Sequence, residues 1–233
     1  CVCVAELGFG TGLNFAVLAD AVLTKTSAQL RFISFEKHPL KTQDWQSVFD
    51  TRARELPIYK EIQTQPLSQV PGWQQRVFAN GRVILSVYHG DVMEGLSDLV
   101  ARQRNAVDAW FLDGFSPAKN PSMWTPEIYT KVAAMAAQET TVATFTAVGN
   151  VRRGLRDVGF TMRRVDQQPI KHHSLAGHFT GQSARSKTVA SIAPVTIHGA
   201  GLGGASMARY LAEQGIKVEV YDPHGVGSGA SQI

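Results

Sequence analysis

Short apolar runs alternate with amphipathic stretches through the first 181 residues. The runs CVCVAEL, LRFISFE, RVILSVYHGD, VDAWFLDGF and TTVATFTA predict strands, and each is followed by a helical pattern. This alternation predicts an α/β fold, with a mostly parallel sheet and helices on both faces. Two further strand-like runs, FTMRRVDQ and SLAGHFTG, have no helix between them. We therefore expect them to form an antiparallel edge.

Two segments fit the alternation less well. Residues 57–80 are glutamine-rich and poorly periodic, and we interpret them as a helix and loop inserted before the third strand of the series. The helical pattern PEIYTKVAAMAAQ covers residues 126–138, so the next strand is expected from residue 140.

The pattern also divides the chain into three parts. Residues 1–181 form the α/β domain, and residues 182–193, rich in Ser, Ala and Lys, are expected to be a linker. Residues 194–233 predict one strand–glycine turn–helix–strand unit. Because such a unit cannot bury both faces of its strands, we interpret it as the truncated start of a further domain. The chain begins inside a strand, so we expect a piece of a longer protein whose N-terminal segment is missing.

The first predicted strand runs into a glycine loop. Gly8, Gly10 and Gly12 stand at every second position, whereas a dinucleotide loop requires glycine at position 13, which is Leu13. The carboxylate of Glu6 just before the loop suits a zwitterionic, cationic ligand, and alternating glycines let the backbone approach it closely. This pattern favours S-adenosylmethionine over a dinucleotide.

Two more acids follow the next strands of the series. Glu36 ends the second strand, where its carboxylate could hold both ribose hydroxyls, and Asp91 follows the third, where it could accept from an adenine amino group. Ligands of open α/β sheets collect at the carboxyl ends of strands, so we predict that Glu6, Glu36 and Asp91 share one cofactor site. The alternative is that Glu36 and Asp91 are helix N-caps or surface acids.

The fourth strand ends in a long loop that carries the candidate chemistry. Asp113 could accept a proton from an ammonium substrate or orient the amine for methyl transfer, and Phe115 could offer an apolar face to a base. The alternative for Asp113 is a turn-forming residue before Gly114. Lys119 lies further along the same loop.

A basic helix start follows the fifth strand. Arg152 and Arg153 face the positive end of the helix dipole, and an anionic partner would relieve that repulsion. They could form a phosphate-contacting rim together with Lys119, Arg163, Arg164 and Lys171. A solvated basic face is the alternative.

The second glycine turn follows the dinucleotide rule. Gly199, Gly201 and Gly204 have the required spacing, and Asp222 ends the next strand, where it could accept from ribose hydroxyls.

Composition narrows the class of protein. Hydrophobic residues at 44% with charged residues at 18% describe a globular protein, and no apolar run approaches the length of a membrane span, so we expect a cytoplasmic setting without a membrane partner. The net charge of +4 suggests an anionic partner such as nucleic acid. No metal site is predicted, since His172 and His173 lack a partner at ligand spacing.

Five stretches together resemble one family. ELGFGTGLNF, FISFEKHPL, DAWFLDGFSPAKNPSMW, TFTAVGNVRRGL and IHGAGLGGASMARYLAEQGIKVEVYDPHGVGSGAS are similar, in that order, to the MnmC family of bifunctional tRNA 5-methylaminomethyl-2-thiouridine biosynthesis proteins. The resemblance implies a class I methyltransferase domain with a Rossmann-like fold that uses S-adenosylmethionine, joined to the beginning of an FAD-dependent oxidoreductase domain.

The resemblance also implies a reaction on the wobble uridine of tRNA. The FAD domain of the complete protein removes the carboxymethyl group, and the methyltransferase domain methylates the resulting 5-aminomethyl-2-thiouridine. Gly8, Gly10, Gly12, Glu36 and Asp91 would contact S-adenosylmethionine. Asp113 would be the base, and Gly199, Gly201, Gly204 and Asp222 would contact FAD. The alternative is a catalytically inactive tRNA-binding or scaffold module.

Overall fold

The computed structural model describes residues 1–102, 106–168, 171–185, 193–213 and 216–226. The strands are β1 (Val2–Leu7), β2 (Leu30–Glu36), β3 (Gly72–Phe78), β4 (Val83–His89), β5 (Val107–Leu112), β6 (Ala136–Thr144), β7 (Phe160–Gln167), β8 (Lys171–Phe179), β9 (Val195–His198) and β10 (Val218–Tyr221). The helices are α1 (Leu13–Lys25), α2 (Thr42–Arg52), α3 (Ile58–Thr64), α4 (Val92–Arg102), α5 (Pro126–Ala134), α6 (Gly149–Asp157) and α7 (Leu202–Glu213).

Eight of these strands form one sheet in the order β3-β4-β2-β1-β5-β6-β8-β7. The five central strands, β4, β2, β1, β5 and β6, are parallel. At one edge β8 pairs antiparallel with both β6 and β7, as the sequence predicted. Because the chain order reverses on either side of β1, the loops after β1 and β5 meet at a topological switch point.

Two apolar layers cover the faces of this sheet. One layer contains the buried sides of α1, α2 and α3, and the other contains those of α4, α5 and α6. In α1 the buried residues Phe15, Ala16, Ala19 and Val22 recur at helical spacing, which explains why this segment packs as a helix on the sheet. The predicted α/β architecture with helices on both faces is confirmed.

The segment at residues 57–80 contains a strand that the sequence interpretation missed. The expected helix is present as α3, but residues 72–78 form β3, which pairs antiparallel with β4 at the other edge of the sheet. Trp73 packs edge-on against Phe35 and Tyr88, while Gln74 and Gln75 belong to an edge strand that tolerates polar side chains. The strand was therefore not predicted, because its glutamine-rich sequence lacks the apolar alternation expected of a strand.

The predicted extent of the fifth helix is wrong at its C-terminal end. α5 stops at Ala134, and β6 begins at Ala136, where the chain pairs with Val107. An irregularity in the register then accommodates Glu139 with φ of 64°. Because the bulge interrupts the alternation of β6, its first residues resemble a helical continuation.

Residues 193–213 and 216–226 contain a second, two-stranded sheet. β9 and β10 pair in parallel, and α7 connects them, as predicted for a βαβ unit. No residue of α7 is buried, and Leu202 and Tyr221 are exposed. Most of the predicted linker, residues 186–192, lies outside the described residues.

Candidate functional site

The glycine loop, residues 8–12, connects β1 to α1 at the switch point. Gly8 has φ of 93°, and a Cβ there would lie 3.0 Å from Gly114 Cα in the loop after β5, so only glycine allows the two loops to meet. Gly10 has φ of 53°, and no atom lies within 4 Å of its Cβ position. Gly12, also at positive φ, begins α1. The loop thus presents open backbone above Gly10.

Glu36 is tied directly to this loop. The Gly10 amide donates to Glu36 Oε2 at 2.9 Å, and the His38 amide donates to Oε1 at 2.8 Å. These two bonds hold the carboxylate at the carboxyl end of β2, beside the exposed backbone of Gly10. The position suits the two hydroxyls of a ribose, which donate to carboxylates.

Asp91 lies one strand further along, after β4. Its Oδ1 accepts from the Met93 amide at 2.9 Å at the start of α4, and its Oδ2 pairs with Lys37 Nζ at 3.1 Å. The Met93 amide, and then Lys37, lower the pKa of this carboxyl. Asp91 therefore has the N-cap geometry considered as its alternative role, while its carboxylate stays partly exposed at the same edge as Glu36.

Glu6 is buried beneath the glycine loop. Only 1% of the residue is exposed, and its carboxyl group accepts from Asn14 Nδ2 at 2.7 Å and from Ser34 Oγ at 3.1 Å. Burial raises its pKa to about 8, against the effect of the two hydrogen bonds, and the nearby charges of Asp113 and Glu36 raise it further. Burial therefore favours the protonated form of Glu6 at neutral pH.

The space enclosed beside Glu36 is small. Its volume is about 10 Å³, and its walls include Gly10, Trp45, Leu67 and His89. This is room for about one water molecule. An adenosine is larger than this enclosed space.

A larger cavity opens on the other side of β1, at Asp113. We call it the strand-end cavity; its volume is about 400 Å³. Its walls come from α1, from the ends of β5 and β6, and from β7 and β8, and comprise Asn14, Phe111, Asp113, Ala143, Thr144, Phe145, Arg163, Val165, Ser174, Leu175 and Ala176. The exposed Asp113 carboxylate accepts from Asn14 Nδ2 at 2.7 Å. Its volume lies within the usual range of small-molecule sites, and its lining is partly apolar and partly polar.

The four predicted substrate contacts lie outside the lining of this cavity. Phe115 is 64% exposed in the loop after β5, and its carbonyl accepts from Trp124 Nε1 at 2.8 Å. Lys119 is exposed in the same loop. Arg153 donates to the Asn150 side chain within α6, and Arg152 has a buried Nε without a hydrogen-bond partner. Phe115 and Lys119 thus follow β5, as Asp113 does, and Arg152 and Arg153 lie near the start of α6, but none of the four lines the cavity.

The second glycine turn has the geometry of its motif. Gly199 has φ of 105°, and a Cβ on Gly204 would collide with the Gly199 carbonyl oxygen, so α7 packs closely on the turn. Asp222 Oδ2 accepts from the Ala200 amide at 2.7 Å, at the end of β10. Gly201 lies between them at the start of α7.

Sequence reasoning missed the residue that joins the two halves of the site. Asn14 contacts both Glu6 and Asp113, and the only signal for it was a polar residue in the first turn of α1, directly after the glycine loop. Phe145, Thr144 and Ser174 were also missed, because their place in the cavity depends on the order of β6, β8 and β7.

The residues at the switch point fit S-adenosylmethionine in chemistry. Gly10 offers open backbone, and the Glu36 carboxylate stands beside it. Among the residues that the structure describes, no group of three His, Cys, Asp or Glu side chains is placed to hold a metal ion. Within the same ranges, no helix combines the length and apolarity that crossing a membrane demands.

A mainly parallel sheet with this glycine loop, this acid after β2 and this antiparallel edge defines the class of S-adenosylmethionine-dependent methyltransferases. The sequence profile described as S-adenosyl-L-methionine-dependent methyltransferase matches residues 54–180, more than half of the chain, and the chain belongs to that family. A profile described as NAD(P)-binding Rossmann-like domain matches residues 197–232.

Curated relatives confirm the resemblance found in the sequence. A protein of Stutzerimonas stutzeri named tRNA 5-methylaminomethyl-2-thiouridine biosynthesis bifunctional protein MnmC is 42% identical over 96% of this chain. Proteins of the same name from Pseudomonas aeruginosa and Aeromonas salmonicida are 38% and 37% identical over 96% and 98% of the chain. The chain spans 35–36% of the length of these relatives.

One solved structure shares the fold over most of the chain. The crystal structure of MnmC2 from Aquifex aeolicus has a TM-score of 0.61 at 23% identity, and the match covers 78% of this chain and 54% of that one. At this identity the likeness shows the fold alone.

Proposed function

We propose that this chain methylates the aminomethyl nitrogen of 5-aminomethyl-2-thiouridine in tRNA, giving 5-methylaminomethyl-2-thiouridine. The observation that carries the proposal is the position of Asp113. It follows β5 at the switch point, its backbone is packed against Gly8 of the glycine loop, and its carboxylate faces the strand-end cavity. A cofactor on the loop and a base in the cavity would therefore meet at this residue.

Asp113 can supply the proton acceptor that the amine needs before methyl transfer. An aminomethyl group is largely protonated at neutral pH, and its lone pair must be free before nitrogen can form a bond to carbon. The exposed Asp113 carboxylate can accept that proton or a hydrogen bond from the amine, which fixes the direction of the lone pair. S-adenosylmethionine, when bound, supplies the activated methyl group, and Gly8, Gly10, Gly12, Glu36 and Asp91 would hold it. Glu6, buried beneath the loop, would support this site through its hydrogen bond with Asn14.

Basic side chains around the cavity would contact the tRNA backbone. Arg163 lies in the cavity wall on β7, Lys119 lies on the loop after β5, and Arg152 and Arg153 lie near the start of α6. Phosphate contacts of this kind position a nucleic acid, while the cavity would select the base. Phe115, at the exposed rim, would stack on a neighbouring base.

We further propose three regions: a methyltransferase domain at residues 1–181, a linker at 182–193, and the beginning of an FAD-dependent oxidoreductase domain at 194–233. Gly199, Gly201, Gly204 and Asp222 would contact FAD in the longer protein. The exposed Leu202 and Tyr221 support this, because a βαβ unit needs further strands and helices to cover its faces. That domain would remove the carboxymethyl group and so supply the aminomethyl substrate.

The test is methyl transfer from radiolabelled S-adenosylmethionine to tRNA that carries the aminomethyl group. Asp113→Asn should lower kcat by about 100-fold, because the amide cannot take the proton. The matched control is Asp50→Asn on α2, an exposed acid that accepts from the Gln46 side chain, and it should keep wild-type activity. Wild-type protein that binds this tRNA without methylating it would instead establish the binding-module alternative.

A further inference from the structure

Asn14 lies between two carboxyl groups that are far apart in sequence. Its side-chain nitrogen is 2.7 Å from Glu6 Oε1, eight residues away, and 2.7 Å from Asp113 Oδ2, 99 residues away. One amide nitrogen therefore joins the end of β1 to the loop after β5.

The orientation of this amide is fixed by its neighbours. An amide nitrogen carries two protons, and each is directed at one carboxyl oxygen. A flipped side chain would place the carbonyl oxygen against the Asp113 carboxylate and lose that hydrogen bond. Asn14 is also held by its place in the first turn of α1, between the N-terminal Gly12 and the buried Phe15.

The two acids differ in their surroundings. Glu6 is buried and accepts a further bond from Ser34, whereas Asp113 is exposed and faces the strand-end cavity. Glu6 and Ser34 are thus a buried, hydrogen-bonded pair, and Asn14 joins this pair to the exposed Asp113 side chain. Among the described residues, the Asp113 carboxylate has no other side-chain hydrogen-bond partner than Asn14.

We infer that Asn14 is a positioning residue: it holds the Asp113 carboxylate toward the strand-end cavity by donating one hydrogen bond to Asp113 and one to the buried Glu6. The inference rests on the proposed methyl transfer and names a residue on which its rate depends. Asn14 acts through Asp113, since fixing an acceptor within hydrogen-bond reach of the amine is what raises the rate of such a transfer.

Two variants distinguish hydrogen-bond donation by the Asn14 side chain from the packing of that side chain. Asn14→Asp keeps the size and shape of the side chain but has no donor when ionised, and Asn14→Ala removes the side chain. A residue that only fills space would tolerate Asp better than Ala. A residue that acts by donation would lose its effect in both variants. Val17→Asp, at an exposed position one turn further along α1, is the control for the added charge.

The measurements are kcat and KM for methyl transfer to aminomethyl tRNA, and the Kd of S-adenosylhomocysteine. Both Asn14 variants should lower kcat by about tenfold or more, with KM and Kd within about threefold of wild type. Val17→Asp should leave all three unchanged. The inference is overturned if Asn14→Asp has wild-type kcat, or if Kd is lost together with kcat.

A second readout does not depend on the reaction. Because the Asn14 hydrogen bond lowers the pKa of Glu6, Asn14→Ala should raise it, and carbon-detected NMR of labelled glutamate side chains can follow that titration. If the pKa of Glu6 is the same in wild type and Asn14→Ala, the hydrogen bond from Asn14 to Glu6 is refuted, and the inference with it. Wild-type protein that transfers no methyl group refutes the proposed function instead, and the NMR result then tests that hydrogen bond separately.

Discussion

The backbone amide of Gly10 donates a hydrogen bond of 2.9 Å to the carboxylate of Glu36. Two features that the sequence places 26 residues apart are therefore one structural unit, in which the acid after β2 fixes the loop after β1. A charged acceptor makes this a strong hydrogen bond. The same carboxylate shapes the loop, and in the proposed function it would also accept from the hydroxyls of a ribose.

Removal of this carboxylate should therefore weaken cofactor binding. We expect Glu36→Ala to raise the Kd of S-adenosylhomocysteine by about tenfold or more, since a hydrogen bond to a charged group contributes about 1.5–3 kcal/mol. Isothermal titration calorimetry measures the effect, and Glu55→Ala, at an exposed acid after α2, is the control. An unchanged Kd would remove Glu36 from the cofactor site.

Gly8 and Gly10 should respond differently to the same substitution. Gly8→Ala brings a Cβ to 3.0 Å from Gly114 Cα at a φ that alanine rarely adopts, so it should lower the free energy of unfolding by about 2 kcal/mol or more and separate the two loops. Gly10→Ala meets no atom within 4 Å, so it should cost about 1 kcal/mol of strain while blocking the cofactor. Urea unfolding and calorimetry distinguish the two, and equal losses of stability would contradict this interpretation.

Glu6 should make the stability of the protein depend on pH. Its pKa rises from an ordinary value of 4.5 when unfolded to about 8 when folded, so between these values the folded protein keeps a proton that the unfolded chain releases. Stability that is fully present below pH 4.5 is therefore lost progressively as the pH rises to about 8.

Glu6→Gln should flatten that dependence, because glutamine can accept from Asn14 and carries no titrating proton. Urea unfolding at several pH values between 5 and 8 tests it, with the exposed Glu55→Gln as the control. Parallel pH profiles for wild type and Glu6→Gln would contradict the assigned burial effect.

The strand-end cavity should be needed for the tRNA substrate but not for the cofactor. Ala143 on β6 lines the cavity, so Ala143→Phe should fill part of it and reduce methyl transfer by about tenfold or more while S-adenosylhomocysteine still binds. Thr141→Phe places the same ring two residues earlier on the same face of β6, outside the lining, and should retain activity. Equal rates for the two variants would show that the substrate binds elsewhere.

Local signals in the sequence were sufficient to predict the central strands and to locate the acids that follow them. Glu36 and Asp91 could be found because a strand of the parallel sheet ends just before each acid, and parallel strands end at one edge. The protonated state of Glu6 could not be read in this way, because it depends on burial under a loop formed by later residues. Asn14 shows the same limit, since its role depends on a partner 99 residues away. β3 was missed because an edge strand needs little apolar alternation.

The position of β8 has a consequence for how the protein acquires activity during synthesis. Ser174, Leu175 and Ala176 complete the cavity wall, although the glycine loop lies within the first twelve residues. A growing chain would therefore contain the residues proposed for the cofactor well before those that complete the proposed substrate cavity. Closure of the cavity waits for the last strand of the eight-stranded sheet to insert between two strands already made, a non-local pairing of the kind that folds slowly.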